Sequence, residues 1–131
     1  MRFTPLKGDQ VNKGADASLT DRFKSGHTIG PVTISDEFLF VKKGLKRYYI
    51  AYSDAEKIFR RVRSLHANIC CGDGDIEVEY LVIQADGREL IEVDLPGKKA
   101  AQMLMKELKE TAPSLDTAAP ARQNSGEEEA S

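Results

Sequence analysis

The sequence predicts a mainly β domain of the α+β class: a strongly bent antiparallel sheet or partly open barrel of six or seven strands, closed by one C-terminal amphipathic helix. Three observations lead to this prediction. Apolar and polar residues alternate in short runs between residues 28 and 95, as they do in half-buried strands. Turn residues, mostly glycine and aspartate, separate these runs. The last patterned segment has the helical period, and such a helix can bury an open end of the sheet.

Aromatic and β-branched residues define the first half of the sheet. Residues 28–35 (TIGPVTIS) are predicted to form one strand, and a turn at residues 35–37 leads to a second strand at residues 38–41. A tight turn at Gly44 then leads to a strand at residues 47–52. The second and third of these strands are therefore expected to form a hairpin.

The second half of the sheet begins after a corner at residues 53–56. Ser53 and Glu56 also have the spacing of a capping box, so a single helical turn is the alternative there. A strand is predicted at residues 58–65. The sequence Gly-Asp-Gly-Asp at residues 72–75 is a strong turn signal, so we expect the chain to reverse there.

A final hairpin and a helix complete the pattern. Residues 76–84 alternate in polarity, and the Asp-Gly pair at residues 86–87 turns the chain into a partner strand at residues 89–95. Pro96 suits a first helical position, and Pro113 ends the helical pattern. The apolar face of this helix is predicted to consist of Ala100, Ala101, Leu104, Met105 and Leu108.

The two ends of the chain lack this patterning. Residues 1–26 are polar with scattered apolar residues, which indicates a weakly structured segment or an edge element. Residues 113–131 are rich in alanine, proline, serine and glutamate and contain no aromatic residue. Such a segment buries too little apolar surface to offset its ordering entropy, so we expect a disordered acidic tail. The patterned domain spans residues 27–112, which is long enough for one core without a metal or disulfide.

The composition of the chain restricts where in the cell the protein is expected and which partners it is expected to bind. The formal net charge is -2, so the chain as a whole has no bulk attraction to nucleic acid or to an anionic membrane. No run approaches the roughly 18 apolar residues of a membrane span, and the N-terminus lacks the apolar segment of a secretory signal peptide. Two adjacent cysteines are not a disulfide framework. We therefore expect a cytoplasmic protein with no transmembrane segment and no cofactor.

Two strings resemble a known family. TISDEFLFVKKGLKRYYIAYSDAEKI, residues 33–58, is similar to the strand–turn–strand run of bacterial pleckstrin-homology-like domains. DGRELIEVDLPGKKAAQMLMKELKE, residues 86–110, resembles the final hairpin and C-terminal helix of that family. The resemblance covers residues 27–112, and GRAM-type modules share the same fold. It implies a binding or assembly module rather than an enzyme. Some eukaryotic members bind phosphoinositide headgroups through basic residues in the first strand-to-strand loop, but no lysine or arginine string precedes Lys42 here.

One short stretch, LHANICCGDGD at residues 65–75, gathers residues that bind metals or act as nucleophiles. A structural zinc site needs about four ligands that converge on one ion. Neighbouring residues of a strand, such as Cys70 and Cys71, face opposite sides of the sheet, so these two cysteines would not readily bind the same ion. A calcium loop needs glycine at its sixth position, where this sequence has Val78. Only two histidines are present, and nothing places either beside a thiol. We interpret the stretch as a strand end and a turn, without a metal or catalytic site.

Basic residues concentrate between residues 42 and 63, which contain eight of the nineteen lysines and arginines. On neighbouring strands Arg61 and Arg63 would share one face and form a positive patch with the hairpin turn. A solvated sheet face whose charges resist edge-to-edge aggregation is the other interpretation, and both stay open. The candidate residues for binding an anion or lipid are Lys42, Lys43, Lys46, Arg47, Arg60, Arg61 and Arg63.

These observations favour a non-catalytic module that binds a protein partner, or a second copy of itself, through an exposed strand edge. The alternative is peripheral binding to anionic lipid headgroups or a membrane surface through the basic run. Tyrosines between the basic residues could stack on bases, but the acidic total charge disfavours nucleic acid. No motif supports a third hypothesis, an enzyme built on Cys70 or Cys71.

Overall fold

A computed structural model describes residues 3–6, 16–69 and 72–118; the side chains of residues 16–18 and 65–75 are outside this description. Within these residues the chain forms eight strands and two helices. The strands are β1 Thr4–Pro5, β2 His27–Ile29, β3 Val32–Ile34, β4 Phe38–Lys43, β5 Lys46–Ala51, β6 Lys57–Ile69, β7 Gly72–Ala85 and β8 Arg88–Leu95. The helices are α1 Asp16–Ser25 and α2 Lys98–Thr111. Neither helix has the length and apolar character that a membrane span requires.

The strands belong to two sheets. The first has the order β1-β5-β4-β3-β2 and the second the order β6-β7-β8. Neighbouring strands are antiparallel except for β1, which runs parallel to β5. The prediction of a mainly β fold with a C-terminal helix is therefore confirmed. The partly open barrel of six or seven strands is not confirmed, because the described residues form eight strands in two separate sheets.

The two sheets and α2 share the main hydrophobic core. Alternation along each strand supplies one apolar face per sheet, and the predicted apolar stripe of α2 packs against both. Ala101, Leu104 and Leu108 are buried, and the remaining predicted residues of that stripe, Ala100 and Met105, are partly buried against the same core. The strands contribute Ile29, Val32, Ile34, Leu39, Val41, Ile50, Ile58, Leu81, Ile83, Ile91, Val93 and Leu95.

A second hydrophobic cluster covers the other face of the first sheet, called here the outer face. Phe40 of β4 and Tyr49 of β5 are paired across the strands and point to this face. Leu19 of α1 and Phe3, which precedes β1, pack on them, with Phe3 and Phe40 ring centroids 5.1 Å apart. The N-terminal elements therefore form part of the packed structure, and α1 lies against the outer face.

The predicted strand at residues 28–35 is wrong, because the structure divides it into β2 and β3. The two short strands pair with each other, with Ile29 opposite Val32, around a turn at Gly30 and Pro31. Gly30 has a φ of 58°, and a Cβ atom at this position would lie 2.7 Å from Cδ of Pro96. Because Pro31 has no N–H group to donate, the turn interrupts the ladder although β-branched residues continue on both sides.

Both predicted hairpins are present. Strands β4 and β5 pair from Phe38–Ala51 to Lys43–Lys46 around Gly44. Strands β7 and β8 meet at the Asp86–Gly87 turn, where both residues have positive φ angles (55° and 75°), as in a type I′ turn. The corner at residues 53–56 includes one 3-10 turn, Tyr52–Asp54, which begins before Ser53 and has no side-chain cap.

Strands β6 and β7 form a long hairpin that extends beyond the rest of the second sheet. Their pairing runs from Lys57–Gln84 to Ile69–Gly72, whereas β8 pairs with β7 only between residues 79 and 85. Residues 63–69 and 72–78 therefore make a two-stranded ribbon, called here the β6–β7 arm. The predicted turn at residues 72–75 is wrong, because these residues belong to β7. The register leaves only Cys70 and Cys71 between the strands, and both lie outside the described residues.

The chain remains packed beyond residue 112, the predicted end of the domain. Ala112 and Leu115 belong to the main core. The Asp116 carbonyl accepts a hydrogen bond from the Ile58 N–H group at 3.0 Å, so this segment touches the start of β6. Leucine at position 115 supplies the apolar contact that the composition of the segment as a whole does not indicate. Residues 119–131 of the predicted tail lie outside the described residues.

Candidate functional site

The structure divides the predicted basic residues into two groups. Four of them surround the β4–β5 turn, and this segment, residues 42–47, is called here the basic tip. The three arginines lie on β6, where alternation directs Arg60 toward the main-core side and Arg61 and Arg63 toward the opposite side. The seven residues therefore do not form one continuous face.

Arg61 and Arg63 are paired with carboxylates of β8. The Arg61 guanidinium donates to Glu89 and, at 3.0 Å, to Oε2 of Glu92. Arg63 donates to the same Glu92 oxygen at 2.8 Å. Hydrogen bonding to Glu89 raises the pKa of Arg61, and the same bond to Arg61 lowers the pKa of Glu89. These arginines are therefore neutralised within the sheet.

Arg60 forms a bidentate ion pair with Glu79 on the main-core side of the second sheet. Nε donates to Oε1 of Glu79 at 2.5 Å and Nη2 donates to Oε2 at 3.1 Å. The Glu79 side chain is only 4% exposed, so the ion pair with Arg60 offsets the cost of burying its carboxylate. The hydrogen bond to Glu79 raises the pKa of Arg60. The pair lies where the β6–β7 arm leaves the three-stranded part of the sheet, and we interpret its role as structural.

The cations of the basic tip differ from the β6 arginines in their partners. In the described part of the chain, Lys42, Lys46 and Arg47 form no ion pair, and the Lys43 ammonium donates to the Glu92 carbonyl oxygen at 2.7 Å. Leu45 at the apex is fully exposed. The tip thus presents an apolar side chain surrounded by positive charge, the combination that fits an anionic or acidic partner surface.

A small cleft of about 150 Å³ lies beside the basic tip, between α1 and the outer face of the first sheet. Lys42 and Arg47 are directly opposite each other in the β4–β5 register and both line the cleft. Thr28 and Thr33 add two hydroxyls, whose oxygens are 2.7 Å apart. Phe23 of α1 forms a wall, and the Arg47 guanidinium lies 5.5 Å from the centre of its ring. The cleft therefore combines two cations and two hydroxyls.

A larger cavity of about 770 Å³ lies at the opposite end of the β4–β5 hairpin, where Phe38 pairs with Ala51. It is called here the acidic cavity. Its apolar part includes Phe38, Ala51 and Leu115. Arg22 binds Glu37 and Lys57 lies 3.5 Å from a carboxylate oxygen of Asp116. The carboxylates that line the acidic cavity are Asp36, Glu37, Glu56 and Asp116.

Two further groups lie at this end of the fold. Burial raises the pKa of Tyr52, which stays protonated and donates to the Ser35 carbonyl at 2.8 Å. Oδ2 of Asp54 is buried and has no hydrogen-bond partner among the described residues, next to the cavity-lining residues Ser53 and Ala55. Sequence reasoning missed the acidic cavity because three distant segments, at residues 36–38, 51–56 and 111–116, build it together.

The described residues contain no group of three or more histidine, cysteine, aspartate and glutamate side chains placed to hold a metal. His27 instead lies 2.5 Å from Glu107 of α2. Cys70 and Cys71 lie outside the described residues, as does the His66 side chain, so the interpretation of that stretch stays a prediction.

Comparison of the chain with protein-family models, with curated proteins and with solved structures finds no match. The function must therefore be inferred from the geometry and chemistry of its own residues.

Proposed function

We propose that this chain is a non-catalytic binding module of the pleckstrin-homology-like type, and that it binds an extended segment of a protein partner along β6. The order of elements supports the type: β2 to β5, then β6 to β8, then a helix packed on both sheets. The observation that carries the proposal is the open edge of β6. A strand edge presents unpaired N–H and C=O groups, which a partner strand can satisfy by main-chain hydrogen bonds.

The open edge is long. Strand β6 has 13 residues and pairs with β7 on one side. On its other side, the described chain reaches its backbone only at Lys57 and Ile58, through Asp116. The rest of the edge thus has no neighbour among the residues that the structure describes, and it is long enough for a partner strand of ordinary length.

The β6–β7 arm supports the same proposal. An isolated two-stranded hairpin is marginally stable in water, and a third strand would add both hydrogen bonds and apolar contacts. Val62 at the base of the arm and Ile76 within it are exposed, at 45% and 44% of their surface. The ion pair between Arg60 and Glu79 fixes the base of the arm to the sheet. A rigid base, an open backbone edge and exposed apolar side chains on the faces of the hairpin suit strand addition.

Site-specific photo-crosslinking tests this proposal. A photoreactive amino acid placed at the exposed Ser64 of β6 is expected to capture one recurrent extended segment of a partner protein. The same group at the exposed Met103 of α2 serves as the matched control. Amides along β6 should then exchange more slowly with solvent in the complex. Equal capture from both positions, or unchanged exchange along β6, would contradict strand addition.

A second candidate function is binding of an anionic lipid headgroup in the cleft beside the basic tip. The specific observation is that Lys42 and Arg47 face each other across β4 and β5, and no carboxylate of the described residues pairs with either cation. Like charges placed directly opposite destabilise a sheet unless an anion bridges them. Near an anionic surface each such cation contributes about 1 kcal/mol of attraction.

Co-sedimentation with phosphatidylserine vesicles tests this second function. Arg47→Gln is expected to reduce the bound fraction, whereas Lys106→Gln on the exposed side of α2 should leave it unchanged. No binding to the vesicles at low salt would exclude the function. Plain phosphatidylcholine vesicles provide the control for interactions that do not depend on charge.

A further inference from the structure

We propose that the chain assembles head to tail, with the basic tip of one copy seated in the acidic cavity of the next. This inference is separate from strand addition at β6 and does not rest on it. It concerns two surfaces at opposite ends of one hairpin that match each other in charge and in apolar content.

The basic tip combines an exposed apolar side chain with exposed cations around it. Leu45 lies at the apex and is fully exposed, so no residue in the described part of its own chain covers it. Lys42, Lys43 and Lys46 around it are exposed as well. In the described part of the chain their ammonium groups pair with no carboxylate. An exposed leucine alone is ordinary, but one encircled by unpaired cations matches an apolar pocket with an acidic rim.

The acidic cavity has the complementary lining. Phe38, Ala51 and Leu115 offer an apolar surface to an inserted side chain. Four carboxylates line it, and among the described residues two cations pair with them: Arg22 lies between Asp36 and Glu37, and Lys57 pairs with Asp116. The fourth carboxylate, Glu56, accepts a hydrogen bond from the Gly87 N–H group at 3.1 Å and pairs with no cation in that part of the chain. The cavity therefore keeps a negative balance that the lysines of an inserted tip would neutralise. Its volume of about 770 Å³ is within the range of ligand-binding clefts, roughly 300–1,000 Å³, which is enough room for a leucine side chain.

Geometry requires the tip to come from another copy. The tip and the cavity lie at the two ends of the same β4–β5 hairpin, whose strands pair over six residues. At the rise of a β-strand this separates them by about 20 Å, so one chain cannot fill its own cavity. A contact between two different surfaces of identical chains is heterologous, and it produces a ring or an open filament rather than a two-fold dimer.

A mixing experiment with two variants tests the proposal. The tip variant carries Leu45→Ser and Lys46→Glu, and the cavity variant carries Asp36→Lys and Glu56→Lys. By sedimentation velocity, the unaltered chain should assemble in a concentration-dependent manner, and rising salt should weaken this assembly. Each variant alone should be a monomer. Mixed together they should form a 1:1 dimer that grows no further, because each copy retains one intact surface.

The mixture also shows that both variants are folded, since a misfolded chain could not restore binding. Lys106→Glu and Asp94→Lys reverse one charge each at exposed positions away from both surfaces and should assemble like the unaltered chain. A mixture that stays monomeric overturns the proposal. So does a monomeric unaltered chain whose tip binds anionic vesicles instead.

A failure of the head-to-tail proposal can be distinguished from a failure of the proposal of strand addition at β6. Val62→Lys at the base of the β6–β7 arm should leave head-to-tail assembly unchanged while it reduces capture of a partner segment. If Val62→Lys abolishes assembly and the tip variant still assembles, the copies associate through the strand edge, and the head-to-tail contact is wrong.

Discussion

The basic tip and the β6 arginines look alike in sequence but differ in their partners. Arg60 binds Glu79 of the adjacent strand β7, and Arg61 and Arg63 bind glutamates of β8 in the same sheet. The lysines of the tip pair with no carboxylate in the described part of the chain, although Lys43 reaches a backbone carbonyl. A basic run in a sequence therefore does not measure the charge that is available to a partner. Here the available charge lies at the tip, and the three arginines of β6 are paired within the second sheet.

The largest effect on the free energy of unfolding is expected when the ion pair between Arg60 and Glu79 is broken. Arg60→Met leaves a carboxylate that is 4% exposed without its cation, which should lower the free energy of unfolding by about 3 kcal/mol. Denaturant titration measures this loss. Adding Glu79→Leu should recover most of it, since no buried charge then remains. A loss below about 1 kcal/mol would place this pair with ordinary surface ion pairs.

Substitution of Arg61 is expected to have a smaller effect on the free energy of unfolding, and this effect should depend on pH. Since hydrogen bonding to Arg61 lowers the pKa of Glu89 in the folded state, the contact stabilises the fold above the ordinary glutamate value of 4.5 and this contribution is lost as the pH falls further. Arg61→Met should cost about 1 kcal/mol or less at neutral pH, because Glu89 is partly exposed. Unfolding measured from neutral to acidic pH should show the two proteins converging below pH 4.5. A difference that grows at acidic pH would contradict the assignment.

The smallest effect on the free energy of unfolding is expected for substitutions at the basic tip. Lys46→Gln removes an exposed charge that has no carboxylate partner, so the free energy of unfolding should change by less than about 0.5 kcal/mol. The same denaturant titration applies, with Lys106→Gln on α2 as the matched control. A loss as large as that of Arg60→Met would mean that the tip contributes to the fold, and the contrast between the two regions would disappear.

Local signals predicted much of the fold. The Asp86–Gly87 pair and Gly44 identified two hairpins, because these turns require residues that tolerate positive φ. The helical period identified the buried face of α2. The turn at residues 72–75 was placed wrongly because cross-strand pairing with β6 holds glycine and aspartate in an extended conformation there. The preference of glycine and aspartate for turns is therefore outweighed by the hydrogen bonds of a continuous β-ladder.

The candidate sites were less predictable because they depend on contacts between distant segments. The charged run at residues 42–63 was visible in the sequence, but the partners of its three β6 arginines lie on later strands: Glu79, Glu89 and Glu92. Only the register of β6, β7 and β8 reveals that these carboxylates neutralise them. The acidic cavity was missed for the same reason, since the segment after α2 closes it.

Hydrogen exchange of the arginine side chains tests the contrast between the two regions most directly. The Arg60 Nε–H group donates to Glu79 at 2.5 Å, whereas Arg47 at the tip has no carboxylate partner in the described chain. In NMR spectra at neutral pH, the Arg60 Nε–H signal should therefore persist and exchange slowly with water, and that of Arg47 should exchange rapidly. Equal exchange at the two positions would contradict the division between internally paired arginines and a tip whose charge is free for a partner.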